Sequence, residues 1–222
     1  MHKPDIRLLP SIPAGIFLFL VALCTSLPAQ ELKVRISDEL EYVDVMHNGQ
    51  QLRIQRNQDP NNRVNPRYGL TSRPCPPFCL QPATIAEGVE TIAELEVLEY
   101  LRRISQGDES VLVIDSRTPD WVRNGTIPGS TNIPWTTLAP GSGADPFTIA
   151  DILENRFGAR ATEGLWDFSN ARTLVLFCNG MWCGQSPANI RTLLKFGYPP
   201  HKIKWYRGGM QSWETVGLTV VK

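Results

Sequence analysis

Histidine is scarce in this chain, with three in 222 residues, and neither His47 nor His201 lies near a strand-end cysteine in sequence. A nucleophile activated by an adjacent imidazole therefore has no sequence support. Lysine and arginine never form a run, and 22 basic residues balance 22 acidic ones. A nucleic-acid or anionic-membrane partner thus lacks the electrostatic footprint it would need. Long apolar stretches are missing too: the longest, Ile16 to Leu23, is too short to span a bilayer. No internal repeat is visible. What remains, 42% hydrophobic and 20% charged residues, suits one globular domain of ordinary size with an appendage.

Residues 1–29 read as a secretory signal peptide. Lys3 and Arg7 precede the apolar run, and small residues follow it, with cleavage expected after Ser26 or Ala29. Cys24 is disfavoured as a lipid anchor because Leu23 fills a position that calls for a small residue. The expected location is outside the cytoplasm, in the periplasm if the source is bacterial, with no membrane span once the leader is gone. Export places Cys75, Cys79, Cys178 and Cys183 in an oxidising compartment.

Residues 30–86 read as an N-terminal extension. YVDVMHNGQQLRIQR alternates around Asn48-Gly49, a strong hairpin signal because both turn positions need positive φ. From Asn57 to Thr84 come six prolines and four asparagines in 28 residues. That composition predicts an extended wrapping segment, not a core element.

From residue 87 to 222 the pattern alternates strands and helices. A capping box at Thr91 and Glu94 opens a helix whose apolar stripe is Val97, Leu98, Leu101 and Ile104, closed by Gly107. VLVID and TLVLFC are apolar without alternation, which implies burial on both faces and hence a parallel sheet covered by helices. Residues 148–157 predict a helix starting at Thr148 and Asp151. SPANIRTLLKF reads as a helix, KIKWY as a strand and MQSWETVG as a short helix. The expected architecture is one open α/β sheet flanked by helices, preceded by the hairpin and the proline-rich extension.

The chemistry concentrates after TLVLF. Ligands of parallel α/β sheets collect outside the carboxyl ends of the strands, and Cys178 is the first residue past such an end. The loop Asn179, Gly180, Met181, Trp182, Cys183, Gly184, Gln185 is mostly small or polar. Ser186 is expected to cap the following helix, with Pro187 as its first residue. Loop amides and a helix N-terminus then converge as an anion cradle. Two or three hydrogen bonds of about 1.5–3 kcal/mol each would lower a thiol pKa by several units before desolvation takes some back. The competing structural reading is a buried strand-end cysteine without chemistry.

These residues resemble the rhodanese superfamily over roughly 87–222. VLVIDSRTPDWVRNGTIPGSTNIPW resembles its strand ending in Asp-x-Arg and the turn after it. LVLFCNGMWCGQSPANIRTLLKFGY resembles its nucleophile strand, cradle and helix, and WYRGGMQSWETVGLTV its closing Gly-Gly-x-x-x-Trp segment. The resemblance implies a sulfurtransferase: Cys178 takes a sulfane sulfur from a thiosulfate- or polysulfide-class donor, holds it as a persulfide and passes it to a thiol. It makes Asn179 to Ser186 the cradle and Asp115 and Arg117 supporting residues, with a structural ion pair as their alternative. It calls for no metal or cofactor. Thr126 stands where the family turn has histidine. The loop is about two residues longer than usual and lacks a cation up to Arg191, which disfavours both a phosphatase and efficient use of dianionic thiosulfate.

Cys183 is a candidate resolving thiol or a small residue tucked under the loop. Cys75-Pro-Pro-Phe-Cys79 reads as a local disulfide, with a redox relay to the loop as the sharper alternative. A zinc site shared with the loop would occupy the nucleophile. Two further functional readings stand beside sulfur transfer. One is a thiol–disulfide oxidoreductase using Cys178 and Cys183, with a periplasmic redox partner; the other is a non-catalytic binding module. Among the tryptophans, Trp182 is the one expected to face solvent or substrate.

Overall fold

The computed structural model describes residues 32–222, so the expected leader at 1–29 lies outside the described residues. Strands β1 (Tyr42–His47) and β2 (Gln50–Gln55) pair antiparallel. Asn48 and Gly49 turn between them with φ of 50° and 79°. The hairpin buries Val43, Val45 and Ile54 in the same cluster as Val97, Leu98 and Leu101.

The proline- and asparagine-rich segment departs from the wrapping strand that its composition predicts. Asn65 accepts a hydrogen bond from the Arg67 amide at 3.1 Å, and with Pro66 at the first position a single helical turn forms, α1 (Pro66–Gly69). That turn drives Tyr68 into the core, where it is 6% exposed. Composition hides this, because one aromatic ring on a rigid turn suffices to anchor a polar segment.

The central sheet is all parallel, built from β3 (Glu90–Ile92), β4 (Val111–Asp115), β5 (Thr131–Asn132), β8 (Thr173–Phe177) and β9 (Ile203–Tyr206) in the order β3-β9-β8-β4-β5. Strands β6 (Arg160–Thr162) and β7 (Leu165–Asp167) form a separate small hairpin. Helices α2 (Glu94–Ser105) and α6 (Gly209–Thr215) and the β1–β2 hairpin share one cluster with Val113, Val175, Phe177 and Tyr206. Helices α4 (Pro146–Asp151) and α5 (Gln185–Lys195) share the other with Ile114, Leu174, Leu176, Ile203 and Trp205. Alternate residues of β4 and β8 enter opposite clusters, which is why those strands carry no polar face. Helix α3 (Pro119–Val122) follows β4 near the site.

Away from the strand-end cysteine, two helix starts differ from the predicted ones. Thr91 belongs to β3, opposite Trp205, and its hydroxyl donates to the Ala83 carbonyl at 2.6 Å. Helix α2 begins at Glu94, where the Glu96 carboxylate accepts from the Ala93 amide at 2.9 Å. Similarly α4 begins at Pro146 because Asp145 accepts from the Thr148 amide at 2.9 Å, which puts Thr148 inside the first turn. A wider π turn, Ile152–Arg156, completes that helix before Gly158. Residues 218–221 run back along the hairpin and the turn, Leu218 bridging to Arg56 and Val221 to Thr126. Among the described residues no helix is long and apolar enough to cross a membrane.

Candidate active site

Central strand β8 ends at Phe177 and delivers Cys178 to the carboxyl edge of the sheet, between β4 and β9. The sulfur is 2% exposed. The Ser186 hydroxyl donates to Cys178 Sγ at 3.1 Å, and as a thiol Cys178 faces the Cys183 carbonyl at 3.4 Å. Burial pushes the Cys178 thiol up. Hydrogen bonds from the Cys183 thiol, the Ser186 hydroxyl and the amides of Ser186 and Gly180 outweigh that, so its pKa is lowered to about 7. No imidazole or ammonium takes part in that set.

Ser186 is not the cap that the sequence suggests. Helix α5 opens two residues earlier, at Gln185 instead of Pro187, after Gly184, and leaves the Ser186 side chain free for the sulfur. Its direction is fixed from behind, because the Trp205 indole Nε1 donates to Ser186 Oγ at 3.1 Å. With that lone pair occupied, the hydroxyl proton is aimed at Cys178. Trp205 is fully buried and carries no sequence signal beyond apolarity, so its part in orienting the donor was not legible.

Cys183 is the second sulfur of the loop, 5% exposed and placed by its amide donating to the Gly180 carbonyl at 2.9 Å. Asn179 Nδ2 approaches its sulfur at 3.9 Å and Gln185 Oε1 at 3.8 Å. Burial pushes the Cys183 thiol well up, and the neighbouring Cys178 charge pushes it further. Of the two sulfurs, Cys178 carries the charge and Cys183 keeps its proton.

Asp115 and Arg117 form a pair with both side chains at 0% exposure and Nη2 to Oδ2 at 2.6 Å. Arg117 Nη2 also donates to the Gly125 carbonyl at 2.7 Å, bracing the turn after α3. Its Nη1 donates to Tyr68 Oη at 3.1 Å and to Asn179 Oδ1 at 3.4 Å, bracing the cradle. Thr126 donates its hydroxyl to Asp115 Oδ2 at 2.7 Å, so it takes up a lone pair of the buried carboxylate. Tyr68 donates to Asn179 Oδ1 at 3.2 Å, and burial raises its own pKa to about 12. Tyr68 lies 111 residues from Asn179 and no local pattern announces it.

The loop is also held from the C-terminal side. The amides at the start of α6 donate to it, Met210 to the Cys178 carbonyl at 3.0 Å and Gln211 to the Asn179 carbonyl at 2.9 Å. This approach requires Gly209: its φ is +54°, and a Cβ there would overlap the Cys178 carbonyl oxygen and lie 2.8 Å from the Gly180 nitrogen. Gln211 ties the ring of parts together, accepting from Trp182 Nε1 at 2.8 Å and donating to the Tyr68 carbonyl at 2.9 Å.

A cavity of about 280 Å³ opens beside the cradle, walled by Phe78, Trp121, Trp135 and Trp182 with Asn179 and Cys183 at its inner end. Trp182 is not solvent-facing: it is 8% exposed, with the Phe78 ring edge-on at 5.6 Å and the Arg73 guanidinium 4.2 Å above it. Met181 is the loop residue that protrudes. No Lys, Arg or His is among the described residues lining the cavity. Cys75 and Cys79 are joined as a disulfide with Cα atoms 4.6 Å apart, and Pro77 and Phe78 between them form the outer wall. The segment is pinned by the Gln81 amide donating to the Met181 carbonyl at 2.8 Å and by Arg207 donating to the Gln81 carbonyl at 2.8 Å. A larger hollow of about 550 Å³, lined by Arg56, Asn62, Glu214 and Lys222 among others, contains neither free cysteine. Among the described residues no group of three or more His, Cys, Asp or Glu is placed to hold a metal ion.

Comparison with known proteins gives the family of the chain. The family model of the rhodanese-like domain matches residues 97–215. No curated protein matches the chain. Among solved structures it is similar to a protein from Bacillus halodurans, at 17% identity and TM-score 0.40, over 60% of this chain and 76% of that one. It is similar to a human single-domain sulfurtransferase at 19% identity and TM-score 0.36, over 57% of this chain and 96% of that one. A thiosulfate sulfurtransferase from Pseudomonas aeruginosa matches at 19% identity and TM-score 0.38, over 60% of this chain and 20% of that one. Because the family model covers more than half of its length, the chain belongs to the rhodanese-like domain family.

Proposed function

We propose that the protein is an exported sulfurtransferase that moves sulfane sulfur through a persulfide on Cys178. The observation that carries this reading is the Cys178 sulfur at the end of β8, receiving the Trp205-oriented Ser186 hydroxyl and held ionised near neutral pH with no basic side chain hydrogen-bonded to it. The thiolate attacks the outer sulfur of a donor R–S–S⁻, the sulfur–sulfur bond of the donor breaks, and RS⁻ leaves. The cradle amides that lower the Cys178 pKa suit the persulfide anion equally. A thiol acceptor then removes the outer sulfur by the reverse displacement.

The walls of the cavity favour one end of the donor class. Aromatic rings without a lining cation offer a dianion such as thiosulfate little compensation for its lost water, whereas a polysulfide or organic persulfide with an apolar tail gains from burial. Export is supported by the leader pattern of residues 1–29 and by the Cys75–Cys79 bond, which suits an oxidising compartment. The test is to incubate the reduced Cys183→Ser variant, whose loop holds no second thiol, with polysulfide or with thiosulfate and to map sulfur adducts by peptide mass. A single added sulfur on Cys178, formed faster from polysulfide, is expected. No adduct from either donor would sink the reading and leave a docking module.

A further inference from the structure

Cys183 is a nucleophilic group that single-cysteine sulfur transfer leaves idle, yet its position is unlike that of a filler. Its backbone carbonyl faces the Cys178 sulfur at 3.4 Å, five residues along the same loop. Cys183, not Cys178, is the sulfur that lines the aromatic cavity. Asn179 Nδ2 and Gln185 Oε1 flank its sulfur at 3.9 and 3.8 Å. Both cysteines are free.

Resting on the sulfur-transfer reading, we propose that Cys183 is the resolving thiol of the site, converting the Cys178 persulfide into an intramolecular Cys178–Cys183 disulfide with release of hydrosulfide. The step balances without an outside oxidant. Cys183–SH gives its proton to the outer sulfur of Cys178–S–S⁻. The resulting Cys183 thiolate attacks Cys178 Sγ, and the bond to the outer sulfur breaks, so HS⁻ leaves with the electron pair. One sulfane sulfur is reduced to sulfide, and two thiol sulfurs are oxidised to the disulfide.

The asymmetry of the pair suits both halves of this step. Keeping Cys183 protonated while Cys178 is charged supplies the proton without which the outer sulfur would have to depart as a dianion. Transfer of that proton then makes the nucleophile at the moment it is required. A second substrate follows from the chemistry: a dithiol, which enters the aromatic cavity, attacks Cys183 from the cavity side and restores both thiols. The net reaction is sulfane sulfur plus a dithiol giving hydrosulfide plus the oxidised dithiol. Sulfide release then stands beside delivery of sulfur to a thiol acceptor as an output of the site.

The test uses the full reduced chain, freed of small thiols and given one equivalent of an alkyl thiosulfonate anion, whose leaving group is a sulfinate and not sulfide. Released sulfide is measured, and the peptide carrying both Cys178 and Cys183, distinct from the one carrying Cys75 and Cys79, is weighed. The wild type is expected to release sulfide without added thiol and to yield that peptide lighter by two hydrogens. Cys183→Ser and Cys183→Ala are expected to lose sulfide release and to retain one added sulfur on Cys178. A wild type that keeps a stable persulfide, matched by both variants, would overturn the resolving role while leaving sulfur transfer intact. Failure of the wild type to take up sulfur at all would overturn the transfer reading itself, and this inference with it. The wild-type measurement decides even if neither variant folds.

Discussion

The two cysteine pairs meet across one aromatic contact and end in opposite states. Phe78 precedes Cys79, Trp182 precedes Cys183, and the two rings meet edge-on at 5.6 Å. Cys75 is exposed and Cys79 half-buried, and the two are bonded. Cys178 and Cys183 are buried and free, and each sulfur has polar neighbours that treat it differently. Nearly equal spacing along the chain therefore says little about sulfur chemistry. What decides it is whether donors are aimed at one sulfur more than at the other. In the outer pair the bond holds a wall in place; in the inner pair unequal surroundings hold one thiolate beside one thiol.

The comparison breaks outright if the inner pair is not the reactive one. In a Cys183→Ser background, Cys178→Ser is expected to abolish sulfur uptake completely, while Cys75→Ser retains it at Cys178, both read by adduct mass; uptake persisting in Cys178→Ser would move the chemistry elsewhere. Next in size is the scaffold beneath the inner pair. Arg117→Met leaves the Asp115 carboxylate buried and unpaired, at a cost of about 3–5 kcal/mol in denaturant unfolding. A loss below 1 kcal/mol, on the order of a surface pair, would mean that the two side chains are not load-sharing parts of the core.

The outer bond is expected to matter less. Removing it in Cys75→Ser/Cys79→Ser opens a very short loop and costs about 2 kcal/mol, seen as a Tm lower by about 4–8 °C. An unchanged Tm would show that the turn holds itself without the bond. Smaller still is Ser186→Ala. Loss of a donor to the thiolate disfavours the charged form, so the Cys178 alkylation midpoint moves up from about 7 by about 1–2 pH units. Trp205→Phe keeps the hydroxyl but loses its orientation, and the same midpoint rises by less than about 1 pH unit. A larger shift in Trp205→Phe than in Ser186→Ala would reverse the order of donor and orienter.

Legibility followed the range of the interactions. VLVID and TLVLFC announced a doubly covered parallel sheet, and Cys178 at its edge followed from strand length alone. Asn48-Gly49 gave the hairpin because φ at two adjacent residues is a local matter. Ser186 was read as a cap because serine before proline usually is one; the competing partner was a sulfur eight residues back and an indole 19 residues on. The burial of Trp182 was hidden for the same reason, since its covers, Arg73 and Phe78, come from the segment that composition marked as peripheral. Tyr68 was hidden most thoroughly. Its signal, an Asn-Pro helix start, says that a turn exists but not what the turn inserts into.

The grip of α6 on the loop has a consequence for biosynthesis. The carbonyls of Cys178 and Asn179 find their donors on Met210 and Gln211, so a ribosome that has released β8 but not α6 holds a nucleophile without its seat. Both inner thiols are then uncovered while the nascent chain waits for its last helix. Wherever thiols oxidise, that interval, not the finished protein, is when wrong cysteine partners are chosen.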